Sequence, residues 1–479
     1  MQVQSMHFKA RAQRRLADVR LQSNLKKLAT KFVAGRASAI TEIDDFEGTR
    51  DAAVERRNRG IAHLDVWLER FEAEATRRGA TVLWAETQAD AAQLVVDIAQ
   101  RHGVKKAIKS KSMVSEEVSL NAALEAAQIQ VVETDLGEYI LQINGNEPPS
   151  HIIAPVVHKD KEEIADLFAR VHHTPRKTDI PAMAREAREV LRSHFVSADM
   201  GITGGNFIIA ETGSVAIVTN EGNEGMCTLN PKVHVAITGI EKVLPTLEDL
   251  ATVMRLLPRS ATGQSISNYF SLLTGTKSAS EPDGAEHMYF VLVDGGRTNL
   301  LGGDFQEMLR CIRCGACMNH CPVYQKIGGH SYGWVYPGPM GSVLTPSYVG
   351  IENAIDLPQA ATMCGQCEVV CPVRIPLPDL LRKLRQKQTE RGLRPLGERL
   401  GLTVWAWVAN HPSLYRFMTR LAAGFLHWIA DEHGLLHRMP FASGWTDTRD
   451  MPAPAGRTFH TLYRERRART HSPTSSGPR

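Results

Sequence analysis

Cys311-Ile-Arg-Cys314-Gly-Ala-Cys317-Met-Asn-His-Cys321-Pro322 sets four cysteines at C-x2-C-x2-C-x3-C-P spacing. This is the bacterial ferredoxin pattern, in which three closely spaced thiolates wrap one cubane and the fourth turns to a neighbouring cluster. A second run follows at Cys364-Gly-Gln-Cys367-Glu-Val-Val-Cys371-Pro372. By the same logic Cys311, Cys314, Cys317 and Cys371 hold cluster one, and Cys321, Cys364 and Cys367 hold cluster two. Exchanging the last ligand ties the runs together and sets the clusters side by side, an arrangement suited to electron transfer. The reading predicts a helical ferredoxin-type dicluster domain.

The competing reading is structural zinc, which also uses thiolate pairs. Zinc sites close on two C-x2-C pairs and have no use for a third cysteine and a C-P ending in one run, so iron–sulfur is the better account. The second run is incomplete. A full pattern needs cysteine at 361, where this chain has Ala361. Cluster one is therefore read as [4Fe-4S], whereas cluster two is [3Fe-4S] or a [4Fe-4S] whose fourth iron takes another ligand. Cys227, the one cysteine outside the runs, is a formal candidate, but a buried structural thiol is the simpler reading. His320 beside Cys321 is another, although neighbours of a ligand usually point elsewhere.

The other composition cues fit a multidomain globular protein. At 479 residues the chain exceeds one ordinary core. A net charge of +4 is too small to make nucleic acid the main partner. No secretory signal or bilayer-length apolar run is visible. Cysteines concentrated in about sixty residues of a large chain suit metal ligation in a reducing cytosol better than a disulfide framework.

Outward from the cysteines, residues 1–60 read as an N-terminal helical segment, with Leu16, Val19, Leu25, Leu28 and Phe32 forming a loose stripe. Residues 61–300 alternate helix and strand. Strands are expected at Ala80–Ala85, Val104–Lys109, Ile129–Glu133 and Ile152–Val157, and helices at Ala89–Arg101, Ser115–Ala127 and Lys161–Val171. That rhythm predicts a mainly parallel sheet covered on both faces. Phe207–Ala210 and Ser214–Thr219 read as a hairpin through Gly213, and Met288–Val293 as the last strand. The dicluster domain is placed at 301–395, with a basic helix over Asp379–Arg391 closed by Gly392. Residues 396–479 form a helical C-terminal region in which Ser413 caps a helix with Leu414, Phe417, Met418, Leu421, Phe425, Trp428 and Ile429 on one face, read as a docking face. From about Pro452 the composition reads as a disordered tail.

Three weaker signals lie in the larger domain. Gly201-Ile-Thr-Gly204-Gly205-Asn206 lacks the spacing of a nucleotide loop and reads as turns. Lys109-Ser110-Lys111-Ser112 follows a strand, where backbone N–H groups can hold an anion, or is a solvated basic turn. Glu133, Asp135 and Glu138 also follow a strand, where α/β sheets place ligands, or form an exposed charge run.

The stretches Lys109-Ser-Lys-Ser-Met-Val-Ser-Glu-Glu117, Val132-Glu-Thr-Asp-Leu-Gly-Glu-Tyr139, Gly201-Ile-Thr-Gly-Gly-Asn206 and Glu211-Thr-Gly-Ser214 resemble those of the lactate utilization protein B family over nearly the whole chain. The resemblance implies an α/β domain of the sugar-isomerase/CoA-transferase type. It also implies action with a cysteine-rich redox subunit and a smaller subunit sharing the α/β domain, together oxidising L-lactate to pyruvate. The chain is then an electron-transfer subunit rather than a self-sufficient enzyme, with a quinone or other carrier as acceptor and no nucleic-acid partner. It would be cytoplasmic, with peripheral contact at the inner membrane face as a minority reading. Two alternatives stay open: the α/β domain itself transforms a small organic anion, or the chain is a redox-sensing assembly scaffold. No catalytic residue is assigned.

Overall fold

Short β-branched runs between amphipathic helices build a six-stranded sheet in the computed structural model, which describes residues 2–439, 443–447 and 449–470. The ten strands of the α/β region are β1 (Thr81–Ala85), β2 (Lys106–Lys109), β3 (Gln130–Glu133), β4 (Met200–Gly204), β5 (Phe207–Ile209), β6 (Ser214–Thr219), β7 (Val233–Gly239), β8 (Val243–Leu244), β9 (Tyr269–Leu273) and β10 (His287–Val293). The main sheet runs β1-β10-β7-β4-β2-β3. Every neighbouring pair in it is parallel, with Ile108 opposite both Val132 and Gly201, and Val235 opposite both Ile202 and Tyr289. Helices on both faces explain why β7 is buried along its whole length. On one face the helix Gln88–Arg101, started by a Thr87–Asp90 capping box, brings in Val95 and Ile98. On the other, Phe71 meets Phe290 edge to face at 5.1 Å.

The expected hairpin forms. Phe207 lies opposite Ala216 and Ile209 opposite Ser214, and β5 and β6 join β8 and β9 in a second, four-stranded sheet. Gly213 turns it at φ +64°, and a Cβ there would lie 2.3 Å from the Ala75 backbone nitrogen.

Three local expectations are corrected. Ile152–Val157 is a run of bends and turns rather than a strand. Pro155 brings no N–H to a ladder, and Ser150 closes the loop by bonding the Pro155 carbonyl. The helix expected over Ser115–Ala127 divides at Ser119, which adopts φ 55°, into Met113–Glu117 and Leu120–Ala126. The N-terminal stripe spans two helices, Phe8–Leu16 and Val19–Ile40, restarted by Asp18, which caps the second through the Leu21 N–H. Leu21 and Leu25 are buried there, whereas Leu16 and Val19 face solvent.

The chain packs as two compact units, Met1–Glu390 and Arg391–Arg479. The first holds the N-terminal helices, both sheets and both cysteine runs, and ends with the helix Leu377–Glu390. In the second, the helix expected to be capped by Ser413 begins two residues earlier, with His411 at the cap position and Pro412 at its first position, and runs to Trp428. Phe417, Met418, Leu421, Phe425 and Trp428 are exposed on it. The tail is not disordered from Pro452. Phe459–Thr470 is helical, and residues 471–479 lie outside those described. Among the described residues, no helix is long and apolar enough to cross a membrane.

Candidate iron–sulfur sites and the adjoining cavity

The two cysteine runs adopt one backbone form, repeated after fifty residues. Arg313 and Met363 both take φ 58°, and Gly315 and Gly365 take φ +76° and +81°. Each glycine leads into a four-residue helical turn, Ala316–Asn319 or Gln366–Val369. The closing bonds match as well: Cys321 N–H to Met318 O and Cys371 N–H to Glu368 O are both 3.1 Å. In this register Cys314, Cys317 and Cys321 correspond to Cys364, Cys367 and Cys371, and Cys311 corresponds to Ala361.

The thiols divide into two groups. Cys311, Cys314, Cys317 and Cys371 line one small cavity with Met340 and Ile375, and Cys321, Cys364 and Cys367 line a second with Ala361 and Met363. The two short helical turns pack together. The first group is the more enclosed: Cys314 and Cys371 are buried, whereas Cys364 is exposed. Burial, then neighbouring thiols, pushes Cys314 up to about 12; burial likewise lifts Cys371 to about 11.

The residues present fit iron–sulfur clusters. Backbone N–H groups point at sulfur, from Arg313 to Cys311 Sγ at 3.4 Å and from Ile375 to Cys371 Sγ at 3.3 Å. Cations surround the first group. Arg50 donates to the Cys371 carbonyl at 2.7 Å, and Arg36 to the Val370 carbonyl at 3.1 Å. The fully buried Arg57 holds the Arg310 and Leu309 carbonyls, and Lys242 that of Cys311. Arg36 Nε is buried with no hydrogen-bond partner, and its charge acts first on Cys314 among the cysteines. Several buried cations and an orphaned donor around four thiols call for an anionic group with acceptor atoms, the character of a thiolate-bound cluster.

A larger cavity, of about 530 Å³, adjoins this site. It opens at the carboxyl ends of β2 and β4, where Ser110, Lys111 and Ser112 face Gly204, Gly205 and Asn206. From β2 the chain crosses outward to β3, while beyond β4 it builds inward to β7. The strand order therefore reverses between β2 and β4, the place where open α/β sheets bind ligands. Lys242 and Glu241 line the same cavity, and so do Ile312 and Arg313 from the first cysteine loop.

Comparison with known proteins matches this division. Residues 68–293 match the LUD domain, 307–375 the 4Fe-4S dicluster domain, and 382–468 the family described as lactate utilisation protein B, C-terminal. Lactate utilization protein B of Geobacillus kaustophilus is 43% identical over 432 residues, covering 90% of this chain and 91% of its own. The protein of that name from Lysinibacillus sphaericus is 40% identical over 467 residues, 97% and 98% of the two chains. The chain belongs to the lactate utilization protein B family. An uncharacterized electron transport protein of Escherichia coli, YkgF, is also similar, at 39% identity over 96% of this chain and 97% of its own.

Three of the four motifs that carried the family resemblance line this cavity, through residues 110–114, 135–137 and 204–206, whereas the fourth is the turn between β5 and β6. Lys109 and Lys111 go to opposite sides, because β2 ends at Lys109 and the alternation that would keep both on one face stops there. Lys111 lines the cavity, 3.5 Å from Asp135. Lys109 is fully buried between Glu133 at 2.9 Å and Glu116 at 3.2 Å, with Glu138 at 3.9 Å. The basic turn and the acidic run are therefore neither solvated nor exposed; they neutralise each other inside the fold. Gly201 and Gly204 are strand residues rather than turns. A Cβ on Gly201 would lie 1.7 Å from the Cys227 carbonyl oxygen.

Cys227 lies in the helix Asn223–Leu229, lines neither thiol cavity, and sits 3.5 Å from Thr134 Oγ1. Burial pushes its thiol up to about 12. His320 turns Nδ1 to the Ala316 carbonyl at 2.9 Å. Glu147, His158 and His330 bring ligand atoms within 4.8 Å of one another. Both ring nitrogens of each histidine are already hydrogen-bonded, to Ser150 and Glu147, and to Arg15 and Pro148, so the cluster is a structural network.

A buried ion network, not foreseen from sequence, joins the sheet to the cysteine loops. Arg297 pairs with both oxygens of Glu117, at 3.0 and 2.9 Å, and with Glu241 at 2.6 Å. Tyr336 also donates to Glu117, and Arg313 reaches Glu241 at 3.4 Å. Arg297 and Arg313 lie over the rings of Tyr348 and Tyr336.

Proposed function

We propose that this chain is the iron–sulfur electron-transfer subunit of a complex that oxidises L-lactate to pyruvate. The observation carrying the reading is the division of seven thiols into two packed groups, each completed by a cysteine of the other run. In this reading Cys311, Cys314, Cys317 and Cys371 hold a [4Fe-4S] cluster. Cys321, Cys364 and Cys367 hold a [3Fe-4S] cluster or a [4Fe-4S] cluster with one iron not bound by cysteine.

When bound, the clusters supply one-electron acceptors that pass on the electrons released in a two-electron oxidation. The chain's own residues set their surroundings. Arg36, Arg50, Arg57 and Lys242 place positive charge around the first group, and Met340, Ile312 and Ile375 keep water from it. The exposed edge at Cys364 and Met363 gives the second group access to a partner. Helical segment 1–60, α/β region 61–300, dicluster region 301–395 and C-terminal region 396–479 are the proposed functional parts. A cysteine-rich subunit and a smaller α/β subunit are the proposed partners, with a quinone-type carrier as acceptor.

Anaerobic addition of L-lactate to the purified chain, with and without the partner subunits, tests this. Bleaching of the iron–sulfur absorbance only when the partners are present is the expected result. Clusters that stay oxidised in the complete complex would overturn the reading. A second reading, that the α/β region itself takes a small organic anion, is favoured by the 530 Å³ cavity beside the first thiol group.

A further inference from the structure

The wall between the large cavity and the first thiol cavity is thin. Ile312 and Arg313 line both. A molecule held in the large cavity therefore meets side chains of the Cys311–Cys314 loop that also face the first thiol group. The cavity also carries groups that lack full partners. Arg313 is only partly exposed, with 12% of its side-chain surface open, yet its side-chain hydrogen bonds are one to Met340 Sδ and one to Glu241 Oε1, both at 3.4 Å. Such long bonds leave guanidinium donors available to an anion. Glu224 is 2% exposed, and its Oε1 has no hydrogen-bond partner; Asn223 Oδ1 is likewise unpartnered. Both residues line the cavity, and both atoms are acceptors that a ligand hydroxyl would satisfy. Lys111 supplies a second cation.

Size narrows the ligand. A three-carbon hydroxy acid fills about 100 Å³, the share of three or four waters. The cavity is several times larger and falls in the range of sites for whole organic ligands. The additional space is walled by Ile140, Ile152, Val156, Ile217 and Leu257. These side chains favour an apolar substituent.

We propose that this cavity binds a 2-hydroxy carboxylate, with the carboxylate recognised by Arg313 and Lys111, the hydroxyl by Glu224 and Asn223, and an alkyl or aryl side chain by the apolar wall. The choice of a hydroxy acid rests on the lactate reading above; the preference for a longer side chain comes from the cavity. The site sets the bound acid beside the loop that carries the first thiol group.

Calorimetric titration of the anaerobically purified, cluster-loaded chain with L-lactate, 2-hydroxybutyrate, 2-hydroxyvalerate and 2-hydroxyhexanoate tests this. The expected result is saturable binding whose affinity rises about fourfold for each added methylene. Lys111→Gln and, independently, the cavity-filling Val218→Trp should weaken it at least tenfold with iron content unchanged. A change in the EPR line shape of the reduced clusters on binding, blocked by Val218→Trp, would place the ligand beside them. No binding by any of the acids, or equal affinity in wild type and both variants, would overturn the proposal. That failure is distinct from failure of the electron-transfer reading. Lactate-driven cluster reduction in the full complex, without binding to this chain, sinks the cavity assignment alone. Binding without reduction in the complete complex sinks the electron-transfer role alone.

Discussion

Lys242 Nζ donates to the carbonyl oxygen of Cys311 at 2.9 Å. This bond joins the α/β region, where Lys242 follows β7, to the first ligand position of the cysteine run. Arg57 repeats the motif from the N-terminal side, holding carbonyls of Leu309 and Arg310 and also that of Val243. The first cysteine loop is thus held by side chains from two other parts of the chain, all of them cationic. A positive, desolvated surround favours the more reduced, more negative state of whatever the thiolates bind.

Arg36→Gln should therefore lower the reduction potential of cluster one. Arg36 makes one hydrogen bond to a backbone carbonyl, and its charge acts on Cys314, so the change is mainly electrostatic. Loss of one nearby charge at an intermediate dielectric shifts a one-electron potential by on the order of 50 mV. Anaerobic redox titration followed by EPR should show the shift in one signal only. An unchanged potential at full iron content would remove Arg36 from the set of groups that tune it.

Ala361 is the one break in a repeat that is otherwise complete in backbone form. Ala361→Cys should supply the missing thiolate of cluster two. The variant is expected to hold about eight irons per chain and to resist conversion to a three-iron centre in air. Wild type is expected to give the three-iron EPR signal on the same exposure. Iron assay with EPR before and after oxygen checks both statements, and identical oxygen sensitivity would show that position 361 does not face the cluster.

The cysteine repeat was legible because ligand spacing is local, and the parallel sheet because strands buried on both faces read as continuous apolar runs. The cavity was not. It is assembled from Ser110, Asn206, Lys242 and Arg313, whose meeting depends on strand order that no local pattern carries. Lys109 and Lys111 are two residues apart, so a continued strand would put both on one face; β2 ends at Lys109, and the two then part, Lys109 inward to Glu133 and Lys111 to the cavity. Ser119 in a left-handed conformation and Pro155 inside an apolar run broke elements that propensity would continue. The Arg- and Pro-rich composition after Pro452 masked the helix Phe459–Thr470.

Arg297→Met should destabilise the first unit strongly. Arg297 is fully buried and pairs with Glu117 and Glu241, which are also buried, so its removal leaves Glu117 without its cation and Glu241 with only Arg313 and Lys242. Burial pushes Glu241 up, but Arg297, Lys242 and Arg313 outweigh it and hold the group at about 2. Breaking a buried pair by deleting one partner costs roughly 3–5 kcal/mol. Urea unfolding followed anaerobically should show the midpoint falling accordingly. A change under about 1 kcal/mol would mean the carboxylates find other partners or take up protons at little cost.

Glu221 sets a pH dependence of the opposite kind. It lines the large cavity and accepts from the Leu136 N–H at 3.1 Å. Burial, and then the charge of Asp135, raise it from 4.5 to about 7. A carboxyl whose folded pKa lies above its unfolded one favours folding below the unfolded value, and that contribution is lost as pH rises through the folded value. Between about pH 4.5 and 7 the wild type should therefore lose stability relative to Glu221→Gln, whose side chain does not titrate. The variant should be the more stable protein above pH 7, with the gap closing toward pH 5. Thermal unfolding of both proteins across that range measures it. A constant difference at every pH would show that Glu221 ionises at the ordinary carboxylate value and that the cavity mouth is well hydrated around it.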